Sequence, residues 1–212
     1  QNYADVFAKL GYPVKLDFTS IFSPQGGNIR ILPPEIGTKK AFQEWIGVAP
    51  FAAHKQKVYP PEMLEKMITM LTKEHPSCRV FIFGKGPLED PIINGIVSRN
   101  PQCLNASAVL NGISQELVLM SHLDVMVSMD SANMHFASLV NTPVVSIWGA
   151  THPYAGFMGW GQNEHNAVQI DLACRPCSIF GNKPCLRGDL ACMRNISPEM
   201  VYERVKQVLN KK

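Results

Sequence analysis

From Trp45 onward the chain alternates between short apolar runs and longer stretches whose apolar residues stand three and four positions apart. The runs at Trp45–Pro50, Arg79–Phe83, Asp124–Met129 and Pro143–Gly149 have the composition of strands buried on both faces, as in a parallel sheet. Cys103-Leu104 reads as a further brief strand. Met63, Leu64, Met67, Ile68 and Leu71 form a helical stripe that opens at Pro60-Pro61, where proline suits a first turn, and stops before Pro76. Residues 88–99 read as a helix despite Gly95. Ser114 reads as the N-cap of another, with Glu116 in the first turn and Leu117, Val118, Met120 and Leu123 behind it. Ser197-Pro198-Glu199 opens the last helix with a capping hydroxyl, a proline and an acid near the positive end. Its buried stripe is Met200, Val201, Val205, Val208 and Leu209. Strands alternating with helices predict an α/β fold with a parallel, doubly wound sheet.

Residues 1–44 carry no such pattern. A helix-like run, Tyr3 to Leu10, stops at Gly11, and Ser23-Pro24-Gln25-Gly26-Gly27 and Leu32-Pro33-Pro34 break any longer element. The division predicted is therefore a connector with the last element of an upstream unit over 1–44, and an α/β domain over 45–212. With 212 residues and a net charge of +3, Lys and Arg being scattered, the chain has no electrostatic footprint for nucleic acid. No window approaches the roughly 20 apolar residues of a membrane span. Six cysteines in a chain of this size do not require a disulfide scaffold. With no signal peptide in view, a reducing, cytoplasmic setting is expected.

Polar residues gather where the strands end. Lys57 follows the first strand, and Lys85 and Glu89 follow the second. Asp130, Ser131 and His135 follow the strand at 124–129, and Thr151 and His152 follow the next. In a parallel sheet these loops share one edge, where open α/β sheets bind ligands. Asp130 to Ala137 reads as a strand tip running into a short helix, whose free N–H groups and positive dipole end suit phosphate. Lys57 would neutralise phosphate as a point charge. Glu89 would accept from ribose hydroxyls, and His135 would offer a neutral N–H to an oxyanion. Each residue also has a plainer reading: a solvated Lys57, a Gly84-x-Gly86 that merely closes a turn, an Asp130 that caps its own helix, a core His135. Tyr154, Phe157 and Trp160 border a ligand pocket, meet a partner domain or pack a loop, and Trp148 belongs to the core. No Gly-x-Gly-x-x-Gly follows the first strand, which argues against a dinucleotide oxidoreductase.

Asp130-Ser131-Ala132-Asn133-Met134-His135-Phe136-Ala137, the Pro143–Gly149 strand and Thr151-x-Pro153 resemble the signature of the family 9 glycosyltransferases, the heptosyltransferase-like enzymes of lipopolysaccharide core assembly. The resemblance implies the carboxyl-terminal, Rossmann-like donor half of a GT-B glycosyltransferase. It implies inverting transfer of heptose, or a related sugar, from a nucleoside-diphosphate sugar, with ADP-heptose the expected donor. The acceptor would be the lipopolysaccharide core, and the enzyme cytoplasmic or peripheral at the inner membrane. By the same resemblance Lys57 meets donor phosphates, Glu89 the ribose, and Asp130, Ser131 and Ala132 form the turn that holds the diphosphate, with His135 beside it. Ala132 stands where glycine is common, so the turn must avoid a positive φ there. No catalytic base is expected on this chain, because the family's base is a carboxylate of the other domain. No cofactor is required. A stand-alone nucleotide-binding module without activity is the alternative.

Cys174, Cys177, Cys185 and Cys192 crowd one loop-rich segment. Four thiolates would suit a tetrahedral structural zinc, although the second pair is more widely split than in paired Cys-x-x-Cys sites. Reduced thiols or disulfides packing the loop are the other reading. Cys78 and Cys103, in or beside strands, are expected to be buried apolar thiols.

Overall fold

The predicted runs become strands of one sheet. The structure, a computed structural model, describes residues 2–211. After α1 (Asn2–Lys9), the chain forms β1 (Trp45–Ala49), α2 (Pro61–Glu74), β2 (Arg79–Ile82), α3 (Asp90–Arg99), β3 (Cys103–Asn105), α4 (Ala106–Val109) and α5 (Ile113–Met120). Then come β4 (Val125–Met129), α6 (Ala132–Leu139), β5 (Val144–Ile147), β6 (Ala167–Val168), α7 (Ala191–Arg194) and α8 (Pro198–Leu209). The six strands lie in the order β3-β2-β1-β4-β5-β6, and every pairing is parallel. The order reverses between β1 and β4. That topological switch opens a crevice at the carboxyl ends of the two central strands.

Alternate residues of the central strands feed two cores. Ile46, Val48, Val127, Met129, Val145 and Ile147 pack with α2 and α8 on one face. Trp45, Ala49, Met126, Val144 and Trp148 pack with α5 and α6 on the other. Trp148 is fully buried, and its indole N–H donates to Ser146 Oγ at 2.8 Å. Glu65 and Arg99 join α2 to α3 through paired 2.7 Å bonds, and the guanidinium holds the Glu65 carboxyl below its usual range. Cys78 and Cys103 are buried thiols, pushed up by desolvation to about 11 and about 12.

The segment before β1 is not a free strap. Ile36 is fully buried in the second core, and Phe22, Ile29 and Leu32 pack against it. His122 Nε2 meets Gly27 O at 2.8 Å, and Lys39 pairs with Asp124 at 2.7 Å. Trp160 donates to Phe18 O at 2.8 Å. By contrast α1 leaves Val6 and Phe7 exposed, and Leu10 just beyond it is exposed too.

Some local readings change. Helix α5 starts at Ile113 behind Gly112, whose φ of 82° serves the entry turn; Ser114 lies inside the helix and caps nothing. The two-residue β6 and the short α4, capped by Asn105 Oδ1 on the Ala108 N–H, carry too few residues for a periodic signal. Ser197 caps α8 as read, accepting from Met200 N–H at 3.3 Å.

Gly47 sits mid-strand in β1, where a Cβ would lie 2.4 Å from Met126 Sδ and 2.5 Å from Leu123 Cδ1. Both neighbours are themselves packed into the core. Gly47→Ala is therefore expected to cost about 1–3 kcal/mol through overpacking. Urea unfolding of the two proteins measures it, and an unchanged midpoint would contradict the packing described.

Candidate functional site

Lys57 leaves β1 on a short 3-10 turn, Lys55–Lys57, whose return is anchored two residues later. Tyr59 is fully buried, its hydroxyl donating to Ile196 O at 2.8 Å and its backbone N–H facing Met129 Sδ at 3.4 Å. Burial pushes the Tyr59 phenol well above its ordinary range, so it remains a neutral donor. Asp130 follows β4 on the neighbouring strand, and Thr151 follows β5. These three side chains meet. Asp130 Oδ2 accepts from Thr151 Oγ1 at 2.9 Å and lies 3.4 Å from Lys57 Nζ. The Lys57 and Asp130 side chains are only 13% and 9% exposed. The lysine is thus not a solvated surface residue, and Asp130 does not cap α6.

Helix α6 begins without a side-chain cap. Ser131 precedes it with extended backbone, and its hydroxyl turns to Ser128 Oγ at 3.2 Å. The N–H groups of Ala132 and Asn133 have no acceptor among the described residues. A first turn with free donors beside a cation is a ready receptor for an anion. Ala132 keeps φ negative, so the alanine fits the turn unstrained.

Lys57, Glu89, Asp130, Ser131, Ala132 and His135 all line one cavity of about 450 Å³ at the β1/β4 switch. His135 is exposed there, which removes the core-histidine reading. Glu89 sits at the rim and has a structural duty too: its Oε2 accepts from Lys85 N–H at 3.0 Å. Gly86 N–H likewise donates to Asp90 Oδ1 at 3.1 Å. The Gly84 N–H donates to Ser107 Oγ at 3.1 Å, so all three amides of the Gly84–Gly86 turn are spent within the fold and do not form a phosphate cradle. His152 stays outside the cavity, its Nδ1 accepting from Tyr154 N–H at 3.1 Å. A further cavity, about 360 Å³, lies near the amino ends of β4 and β5. Its walls carry no charged side chain, so nothing in it suits a diphosphate.

Three features were not legible beforehand. Gly181, with φ +70°, lies so close that a Cβ there would fall 2.7 Å from Lys57 Cγ and 3.2 Å from Thr151 Cγ2. The cysteine-rich loop therefore presses its backbone on the lysine stem. That loop is fastened by Arg175, which donates to the carbonyls of Gly149, Ile170 and Thr151 and to Gln169 Oε1. Finally, Phe180 packs against Phe157 near the lysine. The local signal for Arg175 was its place inside Cys174-Arg175-Pro176-Cys177, which drew attention only to the thiols.

Cys174, Cys177, Cys185 and Cys192 do share a neighbourhood and are all free thiols. Cys177 Sγ donates to Cys174 O at 3.2 Å. Among the described residues, no group of three or more His, Cys, Asp or Glu converges to hold a metal ion. The four thiols thus do not fit a tetrahedral centre in this arrangement, and no step of the chemistry below runs through a metal.

The strand order thus switches at β1/β4, and a lysine and an aspartate that follow those two strands converge there. The model of glycosyltransferase family 9 (heptosyltransferase) matches residues 32–183. The chain belongs to this family. It is 27% identical over 133 residues to lipooligosaccharide heptosyltransferase 2 of Campylobacter jejuni subsp. jejuni serotype O:2, covering 61% of this chain and 40% of that protein. In fold it is similar to E. coli ADP-heptose lps heptosyltransferase II, with a TM-score of 0.62 at 18% identity over 84% of this chain and 50% of the other. The E. coli heptosyltransferase WaaC with ADP gives 0.56 at 14% identity, over 80% and 46%. The family 9 chain described here thus spans half or less of the length of these relatives. Among its described residues, no helix is long and apolar enough to cross a membrane.

The thiols of this family 9 chain should differ sharply in reactivity. Backbone N–H groups of Leu190, Arg187 and Gly188 lower the Cys185 thiol, whereas burial raises Cys78, Cys103, Cys177 and Cys192. Alkylation of the native protein near pH 8, read by peptide mass spectrometry, is expected to mark Cys185 well before Cys78 and Cys103. Equal labelling would contradict the burial described.

Proposed function

We propose that this chain is the nucleotide-sugar-binding part of a heptosyltransferase that transfers heptose, or a related sugar, from a nucleoside-diphosphate donor to the lipopolysaccharide core. The observation that carries this reading is the junction of a nearly buried lysine with the uncapped first turn of α6 in one cavity. The diphosphate would lie over that turn, with Lys57 neutralising charge and Glu89 at the ribose. ADP is the favoured nucleotide, because the E. coli relatives are named for ADP-heptose and seen with ADP.

In inverting transfer an acceptor oxygen attacks the anomeric carbon as the diphosphate departs. Departure concentrates negative charge on the leaving phosphate. Pre-positioned donors, here Lys57 Nζ and the Ala132 and Asn133 N–H groups, stabilise that charge without reorganising. Asp130 Oδ2 holds Lys57 and Thr151 in place and Glu89 serves its own turn, so this reading gives both carboxylates positioning duties and not the role of base. The base then comes from the acceptor-binding domain, with residues 1–44 as the connector towards it. The chain alone is expected to bind donor and turn it over negligibly.

Calorimetric titration with ADP, UDP and GDP tests the assignment, ADP being expected to bind tightest. Lys57→Ala should weaken ADP binding by about tenfold or more, the range for a hydrogen bond to a charged group. Asp130→Ala should weaken it less, since it loosens Lys57 but also removes an anion from beside the phosphates. Unchanged affinity in both variants would remove the site.

A further inference from the structure

The nucleotide cavity does not end at Lys57. Behind the Lys57–Asp130 pair lies a smaller hollow of about 180 Å³, walled by Ala53, His54 and the rings of Phe157 and Phe180. The two cavities share the ion pair as a common wall. The Phe157 and Phe180 rings stand 5.7 Å apart between centroids, tilted by 46°. Phe180 remains 58% exposed, so its ring is available rather than spent on the core. Its place is nevertheless fixed, because Gly181 next to it rests on the Lys57 stem and Arg175 fastens the same loop.

A sugar ring in a pyranose chair has two chemical aspects. Its hydroxyls project around the edge, and its C–H groups present apolar faces. A pocket that holds one needs polar groups at the edge and a flat apolar surface on a face. The hollow has both. Asp130 Oδ1 receives no hydrogen bond among the described residues and can accept from a hydroxyl. His54 also lines the hollow, and the phenylalanines supply the apolar wall.

We infer that the Phe157–Phe180 hollow receives the glycosyl ring of the donor, and that these two rings are specificity-determining residues separating the nucleotide sugar from the bare nucleotide. The inference rests on the donor-binding reading above. The diphosphate crosses over Lys57, with the nucleoside in the larger cavity beside Glu89 and the sugar in the smaller. The loop that bears the cysteines thereby becomes part of the donor site.

Titration of the chain and its Phe180→Ala variant with ADP and with ADP-heptose decides the matter. Loss of one ring contact is expected to weaken ADP-heptose by about three- to tenfold while ADP binds as before. Phe180→Tyr, which keeps the ring, should retain the original ratio of the two affinities. Equal losses for both ligands, or none for either, would overturn the sugar assignment and leave the nucleotide site standing. Failure of the unmutated chain to bind ADP at all would overturn both. Because Phe180 is largely exposed, the variant's thermal unfolding should match the parent's, and a matching melt secures the comparison.

Discussion

A single carboxylate oxygen holds this site together. Asp130 Oδ2, nearly buried, is shared by the Lys57 ammonium and the Thr151 hydroxyl, and so ties the loops leaving β1, β4 and β5 at one point. Such an anion is tolerable in a protein interior only when its partners are in place, and losing one partner of a buried pair is typically worth about 3–5 kcal/mol. Each loop is therefore held by the others. On the donor-binding reading proposed above, an incoming diphosphate would meet a cation whose position is already set, with little ordering entropy left to be lost on binding.

The fold supplies the rest of that preorganisation. Tyr59 draws the end of the Lys57 loop into the core between β4 and the start of α8. The two faces of the sheet are sealed by separate apolar clusters, so the only direction left for the polar tips is the crevice at the switch. The donor groups of α6 stand at that crevice because the chain turns directly from β4 into the helix with no capping side chain to use them. Position on the sheet and chemistry of the site are consequences of the same reversal in strand order.

Much of this was legible in the sequence, for a physical reason. Strands buried on both faces are nearly continuous apolar runs, and those at 45–49, 79–82, 125–129 and 144–147, interrupted by Arg79, Ser128 and Ser146, were visible as such. Residues just beyond such runs must share an edge, which placed Lys57, Asp130 and His135 together before any coordinates. What stayed hidden depends on partners distant in sequence. Ser114 looked like a cap, but the backbone freedom of Gly112 sets the helix start. Glu89 was read as a ligand group, and its bond to the amide four residues back had no local signal. Gly181 and Phe180 lie more than 120 positions from Lys57, and no local pattern announces their contact.

The fastening of the cysteine-rich loop has its own consequence. Arg175 is half-sequestered from water, which lowers its pKa, yet its hydrogen bonds run to three main-chain carbonyls and one amide oxygen, not to an acid. Carbonyls belong to every residue, so the attachment survives replacement of the side chains around it. Descendants of this chain could rebuild the rim beyond Pro176, trading thiols, aromatics or length, without unseating the strand tips underneath. On the donor-binding reading proposed above, selectivity for the transferred group would then drift while the grip on phosphate stays constant.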